Sequence, residues 1–193
     1  MRLNRFVTTA FALAALVAPA SAHTGLGTTH GISAGFLHPV SGIDHMTVMI
    51  AVGIFAAQLG GRALYIVPLT FMGVMVMGAG LGMAGIGLPY VEAGIAVSVL
   101  VMGVAVAMGW RLPLAAAMAL VGAFAIFHGY SHGAEMPLEA SGYAYGAGFV
   151  LATGLLHLIG IGLGLAMLKL PRLQRAAGVV AAAIGIGLLA GWV

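Results

Sequence analysis

Six long apolar stretches follow one another along the chain, separated by short segments that carry Pro, Gly or a charged residue. About 20 consecutive apolar residues in a helix cross the hydrocarbon core of a bilayer, because each residue rises about 1.5 Å. The stretches therefore predict an all-α, polytopic membrane helix bundle with six transmembrane helices. Their predicted limits are 39–59, 63–83, 90–109, 112–133, 143–168 and 173–192.

The N-terminus has the pattern of an export signal. Two arginines within the first five residues precede an apolar run, 6–17, and a small-residue Ala-Ser-Ala motif ends at Ala22. The apolar run is too short to cross a bilayer comfortably. We therefore expect a cleaved signal peptide, 1–22, followed by a single six-helix transmembrane domain, 23–193.

The segment after the signal peptide is rich in Gly, Thr and His and ends in a short apolar run, 32–37. This run is too short to span a bilayer, so we expect an interfacial or re-entrant piece. Pro39 suits the first position of a helix, where its missing N–H has no intrahelical partner to lose. The first transmembrane helix is accordingly predicted to begin at Pro39.

Charged residues predict the orientation of the bundle. Export places the mature N-terminus outside the cytoplasmic membrane, and the connections then alternate between the two sides. Every Lys and Arg of the mature chain then falls on the cytoplasmic side, as the positive-inside rule expects. These residues are Arg62, Arg111, Lys169, Arg172 and Arg175. The sequence thus predicts a multi-pass protein of the bacterial cytoplasmic (inner) membrane with a periplasmic N-terminus.

The composition narrows the classes of function. Only 6% of the 193 residues are charged, whereas an ordinary soluble domain has about a quarter, so the lipid bilayer is the expected surrounding. The net charge of +3 is spread over single residues, without the basic patch typical of nucleic-acid binding. Cys is absent, which excludes disulfides and thiolate metal sites. The 31 glycines favour close helix contacts in lipid.

The first predicted helix opens with the segment His-Pro-Val-Ser-Gly-Ile-Asp-His, 38–45. Ionisable side chains at membrane depth are costly and indicate a functional site unless a simpler role accounts for them. The simpler roles are an N-cap for Asp44 and an interfacial position for His38. Counted along one helix, His38 and Met49 lie on the stripe of His45, at i−7 and i+4. Imidazole and carboxylate together are a ligand set for divalent transition metals.

A second group, His128, His132 and Glu135, projects from one face of the fourth predicted helix at i, i+4 and i+7. Counted from the nearer helix end, His45 and His128 both lie on the order of 8–9 Å deep. Both groups enter from the periplasmic side, so we expect one polar, metal-binding pocket between the first and fourth helices. Its predicted residues are His38, Asp44, His45, His128, His132 and Glu135.

Three further histidines are weaker candidates. His157 lies about 21 Å along the fifth helix, where a neutral imidazole can hydrogen-bond a neighbouring helix or act as a second ligand on an inward path. His23 combines an imidazole with a free α-amine if cleavage follows Ala22, and His30 lies nearby. A solvated tail explains these last two equally well.

The motifs and their order resemble those of the HupE/UreJ family of small membrane proteins. The matching residues are His38-Pro39 with Gly42, Asp44 and His45, then Phe127-His128-Gly129 with His132-Gly133 and Glu135-Met136-Pro137, then Ala152-Thr153 with Leu156-His157. The resemblance implies a nickel or cobalt permease, not an enzyme, that supplies metal for hydrogenase or urease maturation. It also implies that the motif histidines and carboxylates are essential. The transported Ni²⁺ or Co²⁺ is then cargo, with no permanently bound cofactor.

Two other classes stay open on the residues alone. A metal-dependent intramembrane hydrolase could use the same His, Asp and Glu ligands, although the H-E-x-x-H motif is absent. A bis-His haem protein could use His45 and His128 as axial ligands, but the nearby Asp44 and Glu135 favour a bare cation. Ligand chemistry alone leaves nickel, cobalt and zinc as candidates. The Gly-rich motif with a Lys that binds nucleotide phosphates is absent. The sequence leaves open whether the protein forms a homo-oligomer.

Overall fold

Seven α-helices make up most of residues 31–136 and 140–193, which are the residues that the computed structural model describes. They are α1 (Ile32–Ser41), α2 (Ile43–Leu59), α3 (Ala63–Met83), α4 (Val91–Met108), α5 (Leu114–Glu135), α6 (Ala140–Met167) and α7 (Pro171–Leu189). Five are each long and apolar enough to cross a membrane, and α1 with α2 makes a sixth span if this bent pair is counted as one. The all-α, multi-pass architecture is confirmed. The predicted signal peptide, His23 and His30 lie outside the described residues.

The first span is broken. The sequence predicted a single helix beginning at Pro39, and this was wrong, because Pro39 lies inside α1 and the chain bends by 83° between α1 and α2. The run 32–37 is already helical and packs across the start of α6, where the missing side chain of Gly148 admits the backbone of Ile32. The helix therefore continues past Pro39 and ends at Gly42, whose backbone is extended, with φ −89° and ψ 122°.

Successive long helices run in opposite directions, so the bundle has two chemically different ends. The turns that follow α2, α4 and α6 carry Arg62, Arg111 and Lys169, and we call this the basic end. The opposite end, which we call the motif end, carries the α1–α2 bend and the last residue of α5, Glu135. At the basic end, Arg111 links the turn after α4 to α2, since its Nη1 donates to the carbonyl oxygen of Gln58 at 2.9 Å.

Glycines allow the closest contacts between helices, which pack chiefly as α2 with α6, α3 with α5 and α4 with α7. A Cβ at Gly53 would overlap the backbone carbonyl of His157, and one at Gly129 would overlap the carbonyl of Met75. In lipid, where helices gain little from the hydrophobic effect, such close approach supplies much of the packing. These two contacts hold α2, α3, α5 and α6 around the same interior space.

Candidate metal centre

Four imidazoles meet in a row at the motif end. His38 comes from α1, His45 from α2, and His128 and His132 from α5. The ring of His132 lies 4.7 Å from that of His38 and 4.4 Å from that of His45, between centroids. His45 and His128 are 4.7 Å apart. Since the bend at Gly42 puts His38 on another helix, the predicted single stripe of His38 and His45 was wrong, although the two residues still converge.

Asp44 orients His45. Its Oδ1 accepts the backbone N–H of His45 at 2.7 Å and lies 3.0 Å from Nδ1 of the same residue. A carboxylate presents only lone pairs, so the Nδ1 carries a hydrogen, and Nε2 of the neutral ring keeps its lone pair. Metal-binding histidines are commonly held in this way through the nitrogen opposite the metal. The N-cap of α2 is Gly42, so capping does not account for Asp44.

The second nitrogen of His45 faces another imidazole. Its Nε2 lies 2.6 Å from Nε2 of His132. Because His45 keeps its hydrogen on Nδ1, the neutral pair shares the hydrogen that His132 donates. Two nitrogens that bind one divalent ion at about 2.1 Å, at right angles to each other, stand about 3 Å apart. An ion would fit between them once the rings separate slightly and the hydrogen of His132 moves from Nε2 to Nδ1, because both Nε2 lone pairs are then available to the metal.

Glu135 adds a carboxylate at the mouth of the row. One ligand atom from each of His38, His132 and Glu135 lies within 4.8 Å of the other two. Glu135 is exposed, His38 is half-buried and His132 is buried, so the three lead from the surface into the bundle. The structure thus brings all six residues of the predicted pocket together at the motif end.

Ser98 fixes the innermost imidazole of the row, that of His128, and was missed by the sequence analysis. Its Oγ donates to the carbonyl of Ile95 at 2.6 Å and lies 2.8 Å from Nε2 of His128. Because the hydroxyl hydrogen is already used, Oγ accepts from His128, whose hydrogen is then on Nε2. The lone pair is on Nδ1, a buried atom with no hydrogen-bond partner among the described residues. The sequence could have indicated this role, because Ser98 is the single hydroxyl residue in the apolar helix α4.

Aromatic rings from α6 line the row and were also missed. Phe149 lies 4.2 Å from the ring of His132 and 6.3 Å from that of His38, between centroids. Tyr145, one turn earlier, lies 5.9 Å from His38. Apolar walls of this kind exclude water and strengthen electrostatic interactions inside the site. The spacing of the two aromatic residues by one helical turn was visible in the sequence, but their partner was not.

The other candidates lie deeper. Met49 is fully buried in the apolar core, one turn from His45. His157 is buried on α6, and the ring of Phe71 contacts both it and the row, with centroids 5.3 Å from His157 and 5.7 Å from His128. A lateral crevice of about 970 Å³ opens between parts of α3 and α6, and its lining is apolar except for a few side chains that include His132 and His157.

Fold and site together define a multi-pass membrane protein with a buried row of imidazoles that opens beside a carboxylate. Residues 11–188 match the sequence model of the family described as HupE / UreJ protein. The chain is also 44% identical to Protein HupE of Rhizobium leguminosarum bv. viciae over 196 residues, which cover 99% of this chain and 100% of that protein. The chain belongs to the HupE/UreJ family. No solved structure matches it.

Family membership excludes the enzyme class that the residues had left open. The family consists of hydrogenase and urease accessory proteins with a role in nickel and cobalt transport, so the chain is a transport or accessory protein and not an enzyme. The resemblance noted from the motifs is thereby confirmed. The alternative of a metal-dependent hydrolase is not retained.

Proposed function

We propose that this protein is a permease that takes up Ni²⁺ or Co²⁺ from the periplasm to supply the maturation of hydrogenase or urease. The observation that carries the proposal is the row of four imidazoles, which begins beside a carboxylate at the mouth and ends at a fully buried ring. Nitrogen-rich sites with a carboxylate suit first-row transition ions. The four rings lie one after another, and this arrangement allows an ion to pass from one imidazole to the next.

In this proposal, the residues bind the ion one after another in order of their depth in the bundle. Exposed Glu135 raises the local concentration of cations, and His38 and His132 replace the first water ligands. His45 joins through Nε2 while Asp44 holds its other nitrogen, and His128 receives the ion next through Nδ1. Because the imidazoles bind metal only when neutral, capture should weaken in acidic medium.

The direction of transport follows from the proposed orientation in the cytoplasmic membrane. The basic end would face the cytoplasm, and the motif end the periplasm. An inside-negative potential then favours inward movement of a cation by about 2.3 kcal/mol per charge per 100 mV. We propose passive, potential-assisted permeation past His157, because the sequence carries no nucleotide-binding motif that would couple transport to ATP.

Uptake of Ni²⁺ into proteoliposomes with a clamped potential tests the permease directly. Wild-type protein should accumulate Ni²⁺ with an inside-negative potential and without a proton or sodium gradient. His45→Ala and Asp44→Ala should lose most uptake while their abundance in the membrane stays near normal, because each removes a ligand or its orientation. Full transport by both variants would show that the row has only a structural role.

A further inference from the structure

His157 is a buried imidazole that the proposed metal centre does not use. It is 1% exposed, and neither Nδ1 nor Nε2 has a hydrogen-bond partner among the residues that the structure describes. Buried polar atoms in native proteins almost always have a partner, and the exceptions call for an unseen water or ion. The two nitrogens of His157 therefore point to a ligand.

A hydroxyl oxygen and a thioether sulfur, both able to bind a metal, lie one helical turn from this imidazole, where α3 contacts α6 at two successive levels. At one level Thr153 Oγ1 lies 4.0 Å from Met75 Sδ, and one turn further the ring of Phe71 meets that of His157. Thr153 is one turn from His157 on α6, and Met75 is one turn from Phe71 on α3. All four side chains are buried. An imidazole, a hydroxyl and a thioether thus share one interior strip.

The strip begins where the row of imidazoles ends. Phe149, Thr153 and His157 follow one another at i, i+4 and i+8 on α6, and Phe149 packs against the row. The ring of Phe71 contacts both His128 and His157. An ion that leaves His128 toward the basic end would therefore meet this strip next.

We infer that His157, Met75 and Thr153 form a second binding position for the transported cation, deeper than the row. The inference rests on the proposed function for the identity of that cation. Imidazole nitrogen and thioether sulfur suit ions such as Ni²⁺ and Co²⁺ better than Mg²⁺ or Ca²⁺, which prefer oxygen. These three side chains include no carboxylate, so the position binds more weakly than the row. Weak binding allows the ion to move on.

Titration of the purified full chain in detergent with Co²⁺ tests the position without requiring transport. The wild-type chain should bind two ions of unequal affinity, and its X-ray absorption spectrum at two equivalents should contain a sulfur neighbour. Met75→Leu should remove the sulfur signal. Met77→Leu, which changes a methionine 69% exposed on the same helix, should keep it. His157→Gln should bind one ion, with the affinity of the tighter site unchanged.

Uptake kinetics give an independent readout. His157→Gln and Thr153→Val should lower the maximal rate of Ni²⁺ uptake severalfold and leave KM unchanged, because capture at the row precedes the inner step. Thr70→Val is the matched control, since the hydroxyl of Thr70 donates to Ile66 O of its own helix at 2.8 Å. It should transport like the wild type.

The results separate the inner position from the permease itself. A single bound ion in the wild-type chain, or a sulfur signal that survives Met75→Leu, would overturn the inner position and leave the permease standing. Absence of Ni²⁺ uptake by the wild-type chain would instead refute the permease.

Discussion

At the scale of single residues, the sequence identified the groups that are costly in a membrane and missed those that orient them. His45, His128 and their carboxylates were predictable because ionisable side chains in a bilayer need a reason to be there. Ser98 and Phe149 were not, because hydroxyls and aromatic rings are unremarkable in apolar helices. Their role depends on which helix they face, and only the packing of α4 and α6 against the row determines that.

Ser98 gives a prediction at this scale. Ser98→Ala removes the acceptor that holds the hydrogen of His128 on Nε2, so the lone pair is no longer fixed on Nδ1. Loss of such an orienting partner lowers metal affinity by about 10–100-fold. Ni²⁺ affinity should fall by that order in Ser98→Ala and be largely retained in Ser98→Thr. ¹⁵N NMR of the imidazole should show the change of tautomer, and an unchanged spectrum with unchanged affinity would remove Ser98 from the site.

At the scale of helices, the lengths and limits of the spans followed from hydropathy and turn residues, whereas the break in the first span did not. Pro39 was read as a helix start, but the apolar run before it folds onto α6 and carries the helix onward. Packing between distant segments thus overrode a local rule. The chain instead bends at Gly42, and this bend places two imidazoles of the row, His38 and His45, on different helices.

Gly42 gives a prediction for this break. Its φ and ψ are open to any residue, so Gly42→Ala should keep the bend, but the added Cβ would lie 2.7 Å from Oδ1 of Asp44. The carboxylate must then move away from His45, and Ni²⁺ affinity should fall about 10–100-fold, as for other lost orienting contacts. Gly73→Ala, where a Cβ meets nothing within 4 Å, is the control and should bind Ni²⁺ normally. Equal affinities in the two variants would contradict this role of Asp44.

At the scale of the whole molecule, apolar length and the segregation of charge predicted a multi-pass bundle, and the fold agrees. The side of the membrane that each end faces is a further prediction. The chain contains no Cys, so single substitutions can be labelled without altering the background. Arg62→Cys, in a turn of the basic end, should react with impermeant thiol reagents only after the cells are opened.

Tyr90→Cys is the counterpart at the motif end, because Tyr90 is 84% exposed just before α4. It should react in intact spheroplasts. Labelling of Arg62→Cys from outside would invert the topology and place the row of imidazoles on the cytoplasmic face.

The bend at Gly42 also has a mechanical consequence. His38 lies four residues before it, a lever of about 6 Å at the rise of an α-helix. Swinging α1 by about 10° about this point moves the imidazole by about 1 Å, whereas bond lengths to a metal tolerate about 0.2 Å. His45, His128 and His132 lie on α2 and α5, which take no part in such a swing. In the proposed permease, His38 is the outermost imidazole of the row, and this motion alone can release the ion from it while the helices that hold the other three imidazoles stay in place.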